Sequence, residues 1–337
     1  MGQAPSRQTN DRQVSELLRE GRKRVEAKDL NGALEFYRQA AALDRDNPRI
    51  FSGIGYLQAS QGNFQDAILS YQQAIALDPK NADFHYALGF SYANSGDNAA
   101  AIEAYRRSTQ LNPRFFNAFM GLGTVLSRLE NYSEAAKTYQ QAVAIDPKNA
   151  KAQELLGVML LRQDRPQDAL KPLQQAAKLA PRQGNIHLFL GATWLALGNT
   201  SKGLESFQRA VEIDPRNGAV HFQMGKIFQT QGQFEQALIS YKRALSLKRN
   251  LPEAEEAIGD IYFEQKDYLS AVIAYRDFVS LSPQNPTAHL KLGKALKGRD
   301  RHSEAIASIE TAKRLYEQNA DQKGVKTAES LLEELKK

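Results

Sequence analysis

The chain has 337 residues, too many for one ordinary hydrophobic core, and its formal net charge of +6 is small for that length. It holds no cysteine, which excludes disulfides, thiolate nucleophiles and cysteine metal sites. No apolar run is long enough to span a membrane, and the 44 Lys and Arg are mixed with 38 Asp and Glu rather than gathered into the patch a nucleic-acid binder needs.

Residues 1–13, MGQAPSRQTNDRQ, read as a polar tail without the apolar core of a signal peptide. Its first six residues fit the M-G-x-x-x-[ST] acylation pattern at Gly2, and one acyl chain gives only marginal membrane binding. From residue 14 a pattern recurs every 34 residues, nine times and without insertion: 14–47, 48–81, 82–115, 116–149, 150–183, 184–217, 218–251, 252–285 and 286–319. The eighth position is always glycine: Gly21, Gly55, Gly89, Gly123, Gly157, Gly191, Gly225, Gly259 and Gly293. Position 20 is alanine in every unit except the sixth, which has Gly203. Position 24 is aromatic in seven, the others being Leu173 and Ile309.

Positions 4, 7, 8 and 11 fall on one helix face, and positions 20, 24 and 27 form a second stripe on a second helix. Glycine turns such as Gly62-Asn63 and Gly96-Asp97 separate them. Proline near position 32 (Pro79, Pro113, Pro147) stops the second helix, and Asn47, Asn81, Asn149, Asn217 and Asn285 are placed to cap the next first helix. Each unit is therefore a helix–turn–helix hairpin whose small residues at 8 and 20 let its helices approach closely. In the fifth unit Pro172 lies within the second helix, which predicts a kink or a late start there. The first unit carries Glu20 and Arg24 at otherwise apolar positions, as a solvated outer face would. In the last segment, 320–337, the stripe Val325, Ala328, Leu332 and Leu335 predicts a helix that caps the final hairpin or, alternatively, mediates self-association.

A 34-residue helical hairpin with Leu-Gly at 7–8, Ala at 20, an aromatic at 24, Ala at 27 and Pro at 32 resembles the tetratricopeptide repeat (TPR) over residues 14–319. The resemblance implies an all-α fold, a right-handed α–α superhelix whose first helices line a concave groove. It also implies that positions 2, 5, 9, 12 and 13 face the groove. The candidate binding residues are then Tyr56, Tyr86, Phe90, Met120, Val158, Leu188 and Phe222, followed by the charged Lys226, Glu256, Asp260 and Lys294. The carboxylate clamp of chaperone-binding family members is missing, since Ser52, Tyr56 and Ala87 hold its first places in the second and third units. The asparagine ladder of the sugar-transferase arrays is missing as well.

His85, His187, His221 and His289 all occupy position 4, so successive repeats hold them about 10 Å apart. That spacing does not gather nitrogens around a zinc ion, and it points to framework packing. No phosphate-cradling loop or nucleophile elbow occurs. The expected protein is not an enzyme, needs no cofactor or metal, and binds a protein or peptide partner as a scaffold in the cytoplasm or at a membrane periphery. One alternative is an assembly factor that shelters a hydrophobic segment of a membrane complex, as in the TPR factors of photosystem assembly. A second is nucleic-acid binding through Lys291, Lys294, Lys297, Arg299 and Arg301.

Overall fold

The structure is a computed structural model that describes residues 7–335, so the Gly2 pattern lies outside the described residues. Among these residues there are nineteen α-helices, α1–α19, and no strand. They divide into two compact bodies, one ending at Pro181 and holding α1–α10, the other beginning at Arg182 and holding α11–α19. The segment read as a polar tail is helical from Arg7, where α1 (Arg7–Glu26) extends the first repeat's opening helix backwards.

Side-chain caps fix where the helices begin. Asn47, Asn81, Asn149 and Asn285 accept hydrogen bonds from the backbone N–H of Arg49, Asp83, Ala152 and Thr287 at 3.2, 3.1, 3.0 and 2.9 Å. Asn217 stands at the same place without a cap bond, its amide donating instead to Asn185. A second series opens the second helices: Asp29, Asp97, Asn131, Asn199 and Asp267 each accept from the N–H three residues on.

The turn inside each hairpin demands a left-handed residue. Position 15 has positive φ in all nine repeats: glycine in four, but Lys28, Glu130, Asp164, Lys266 and Asp300 in the others, at φ 61°, 57°, 55°, 60° and 56°. A β-carbon in that conformation costs about 1–2 kcal/mol, partly offset by the unfolded-state entropy that glycine would lose. Asp164→Gly and Lys266→Gly are each expected to raise stability by about 0.5–1 kcal/mol, read as a higher urea midpoint; a lowered midpoint in both would contradict the strain argument.

Neighbouring hairpins are tied by a recurring bond. The Nε2–H of His85, His221 and His289 donates to the carbonyl of Pro79, Pro215 and Pro283 at 2.9, 3.1 and 2.9 Å, and Gln153 does the same to Pro147 at 3.1 Å. The residue at position 4 thus fastens the turn that follows the preceding second helix, satisfying a proline carbonyl two residues beyond that helix's end.

The expected late start of the fifth unit's second helix is corrected: α10 (Pro166–Leu179) begins at Pro166 and continues through Pro172, which is buried, as is Leu173. One missing N–H removes a single bond near the helix start, and packing of the surrounding face outweighs it. The stripe on α19 (Gln322–Leu335) is spent within the chain: Val325, Ala328 and Leu332 are buried with Leu290, Ile309, Ala312 and Tyr316. It caps the last hairpin, and that face is not open for self-association.

Candidate peptide-binding groove

The second helices support the residues expected to face the groove. The ring at position 24 passes beneath the glycine at position 8 of its own hairpin: a β-carbon on Gly123 would stand 2.7 Å from Tyr139, and one on Gly225 2.7 Å from Tyr241. Passing there, the phenol reaches groove positions 9 and 12. Tyr139 pairs with Thr124 at 3.2 Å, Tyr241 donates to Gln229 at 2.7 Å and Tyr275 donates to Asp260 at 2.7 Å.

In the first body this arrangement opens a cleft. Helices α3 (Pro48–Ser60) and α5 (Ala82–Ser95) flank a cavity of about 310 Å³ lined by Tyr56, Ala59, Ser60, Tyr71, Tyr86, Ala87 and Phe90. Tyr71 belongs to α4 (Phe64–Leu77) and is only 5% exposed. Its hydroxyl makes no hydrogen bond to another described residue. Burial, helped by the neighbouring Tyr56 and Tyr86, pushes that hydroxyl above the ordinary phenol range, so it stays a donor. Tyr56 and Phe90 stand open at 58% and 43% exposure. Tyr86 is braced by Tyr105 and Phe115, with ring centroids 5.9 and 5.0 Å away, and Phe90 meets Phe64 edge-on at 6.3 Å. No charged side chain lines the cleft.

The remaining candidates separate into three groups. Met120 and Val158 are half-buried in the first body. Leu188 packs on the Phe207–Val220 core, and Phe222 lies on Tyr241 with ring centroids 5.6 Å apart, so both serve packing in the second body. Lys226 is exposed. Glu256 and Asp260, on α15 (Pro252–Glu264), hold the Lys291 ammonium of α17 (Pro286–Lys297) at 2.7 Å each. The sequence assigned Glu256 and Asp260 to a peptide groove and Lys291 to a nucleic-acid surface; the structure joins the three into one ion cluster. Lys297 pairs with Glu334 at 2.5 Å and Arg301 with Glu304, so three of the five residues read as a nucleic-acid surface are bound to carboxylates. Lys294 stays unpaired and lines a different cleft with Lys323 and Lys326 of α19. These two lysines lie outside the 34-residue frame and carried no repeat signal.

Among the described residues no three metal-ligating side chains lie together, and no helix is long and apolar enough to cross a membrane.

The model for the cilia and flagella-associated protein 70 C-terminal domain, a TPR family, matches residues 9–257, and a TPR repeat model matches residues 259–298. The chain belongs to this tetratricopeptide-repeat family. No curated protein matches it. Among solved structures, YrrB, described as a TPR protein with an unusual peptide-binding site, is similar at 22% identity and TM-score 0.51, covering 55% of this chain and 95% of its own. A TPR protein from Parabacteroides merdae is similar at 19% identity and TM-score 0.52, covering 73% and 97%. Pseudomonas aeruginosa pilF is similar at 18% identity and TM-score 0.52, covering 62% and 95%. These likenesses establish the TPR fold, whose nine hairpins and capping helix account for all nineteen helices.

Proposed function

We propose that this TPR protein is a non-catalytic scaffold that binds a peptide or helical segment of a partner along the first helices of its first body. The observation that carries the reading is the Tyr56–Tyr86–Phe90 cleft, an open aromatic site floored by the Tyr71 ring. Large aromatic side chains left exposed beside a concave pocket are the usual anchors of recognition. YrrB, which shares the fold, is described as having a peptide-binding site of its own.

The test pairs Tyr56→Ala with Phe90→Ala. Tyr56 is mostly solvated and Phe90 is covered chiefly by its edge contact with Phe64, so melting should fall only modestly, while affinity for a captured partner should fall on the order of 100-fold. Capture from cell extract with mass spectrometry identifies the partner, and calorimetry measures the loss. Unchanged capture with a clearly lowered melting temperature would make the two rings core residues and sink the reading. The narrower form, assembly of a membrane complex, draws on the uncharged lining, which suits an apolar segment; it requires the captured partner to be a membrane protein.

A further inference from the structure

The second body carries an unneutralised basic cleft. Helices α17 and α19 flank an open cavity of about 710 Å³ lined by Lys294, Lys323, Lys326, Thr327, Ser330 and Leu331, with no carboxylate among its lining residues. The lysines just outside it are all satisfied: Lys291 by Glu256 and Asp260, Lys297 by Glu334, and Lys313 by Glu317 and Glu329. The three inside form no ion pair with any described residue. Like charges sharing one concave surface repel each other and focus a positive potential into it.

We propose that this cleft is a docking site for a short acidic peptide segment that carries an apolar residue. Charge complementarity supplies the acidic character: partner carboxylates would give the three ammonium groups the ion pairs they do not make within the chain. The neighbouring niche supplies the apolar residue. Lys294 also borders a smaller cavity of about 170 Å³ lined by Asp260, Phe263, Tyr275 and Lys291, where the Phe263 ring offers a non-polar wall, as Leu331 does in the larger cleft. A nucleic-acid strand fits less well, because no aromatic side chain lines the basic cleft for a base to stack on. The site is independent of the Tyr56–Phe90 cleft and does not need it.

The test uses the full chain and fluorescence anisotropy. The probe is a labelled peptide alternating Glu and Leu, with a Gln-and-Leu peptide and a single-stranded RNA of matched length alongside. Lys294→Glu, Lys323→Glu and Lys326→Glu are combined in one variant. The control reverses Arg216, Lys248 and Arg249, which makes the same charge change on exposed residues of the same body. The acidic peptide is expected to bind at low salt and the Gln peptide not. The cleft variant should lose on the order of 100-fold and the control little. Equal loss in both variants would reduce the effect to net charge. Tighter binding of RNA with the same lysine dependence, or lysine-dependent self-association in sedimentation, would assign the cleft to another occupant. No peptide binding at low salt overturns the proposal. The Tyr56/Phe90 double variant should bind the acidic peptide normally, so failure here and failure of the aromatic cleft are distinguishable.

Discussion

Gly225→Ala is expected to lower stability by about 2 kcal/mol, even though alanine is the better helix former by about 1 kcal/mol. The new β-carbon would lie 2.7 Å from the Cδ1 and Cε1 atoms of Tyr241. That ring cannot retreat: it is 1% exposed, its hydroxyl is held by Gln229 at 2.7 Å, and Phe222 packs against it with ring centroids 5.6 Å apart. Gly218→Ala is the control within the same repeat. There the added carbon meets nothing closer than 3.4 Å, at the helix start, and the change should be neutral or slightly stabilising. Urea denaturation of the two variants separates these outcomes, and similar effects at both positions would contradict the ring-beneath-glycine account.

Lys291→Met is expected to cost about 2 kcal/mol, because it leaves Glu256 and Asp260 facing each other without a cation in a partly buried place. Adding Glu256→Gln and Asp260→Asn to the same chain should recover most of the loss, since it removes the uncompensated charge rather than restoring the pair. The pH dependence has a defined sign. Burial opposes the Lys291 charge, but the hydrogen bonds to Asp260 and Glu256 outweigh it and hold the group above the ordinary lysine value of 10.5. A group raised on folding contributes in full below its unfolded value and fades as pH climbs through the folded one. On the alkaline side, the stability gap between wild type and Lys291→Met should therefore stay constant from neutral pH and narrow only under strongly alkaline conditions. A gap that closes near neutrality would show that the lysine is not held by the two carboxylates.

The repeat was legible because its constraints recur with one period. Glycine at position 8, an aromatic at 24 and asparagine at 34 each solve a local problem that every hairpin faces, so nine copies reinforce one another. What glycine faces was not legible. Small residues at 8 and 20 suggested backbone approach, whereas the glycine mainly makes room for the ring at 24, a contact no helix periodicity encodes. The Lys291 cluster could have been found. Glu256 and Asp260 sit at positions 5 and 9, Lys291 at position 6 of the next repeat, and those are the places that converge in the carboxylate clamp. Searching for the clamp's residue types hid a cluster using its geometry with opposite charges. Pro172 misled because helix propensity is local and packing is not. Lys323 and Lys326 escaped because α18 (His302–Gln318) is 17 residues long instead of the 14 of every earlier second helix, which breaks the frame for whatever follows. Of the groove residues, Tyr56 and Phe90 stood out as neighbours of the buried glycine, while Leu188 and Phe222 share the same chemistry but are absorbed by packing.

The bond from His85 to Pro79, and its counterparts at Gln153, His221 and His289, gives the array a direction. A hairpin closed this way is completed by the one after it, never by the one before. Removing the following hairpin takes away the donor to the proline carbonyl, whereas removing the preceding one takes away the acceptor. A growing chain emerging from the ribosome would make these four bonds only when the successor hairpin arrives. At the far end the dependence stops. In the last repeat Glu317 replaces proline at position 32, and α18 continues to Gln318 before α19 folds over it, so the terminal hairpin needs no successor of its own kind.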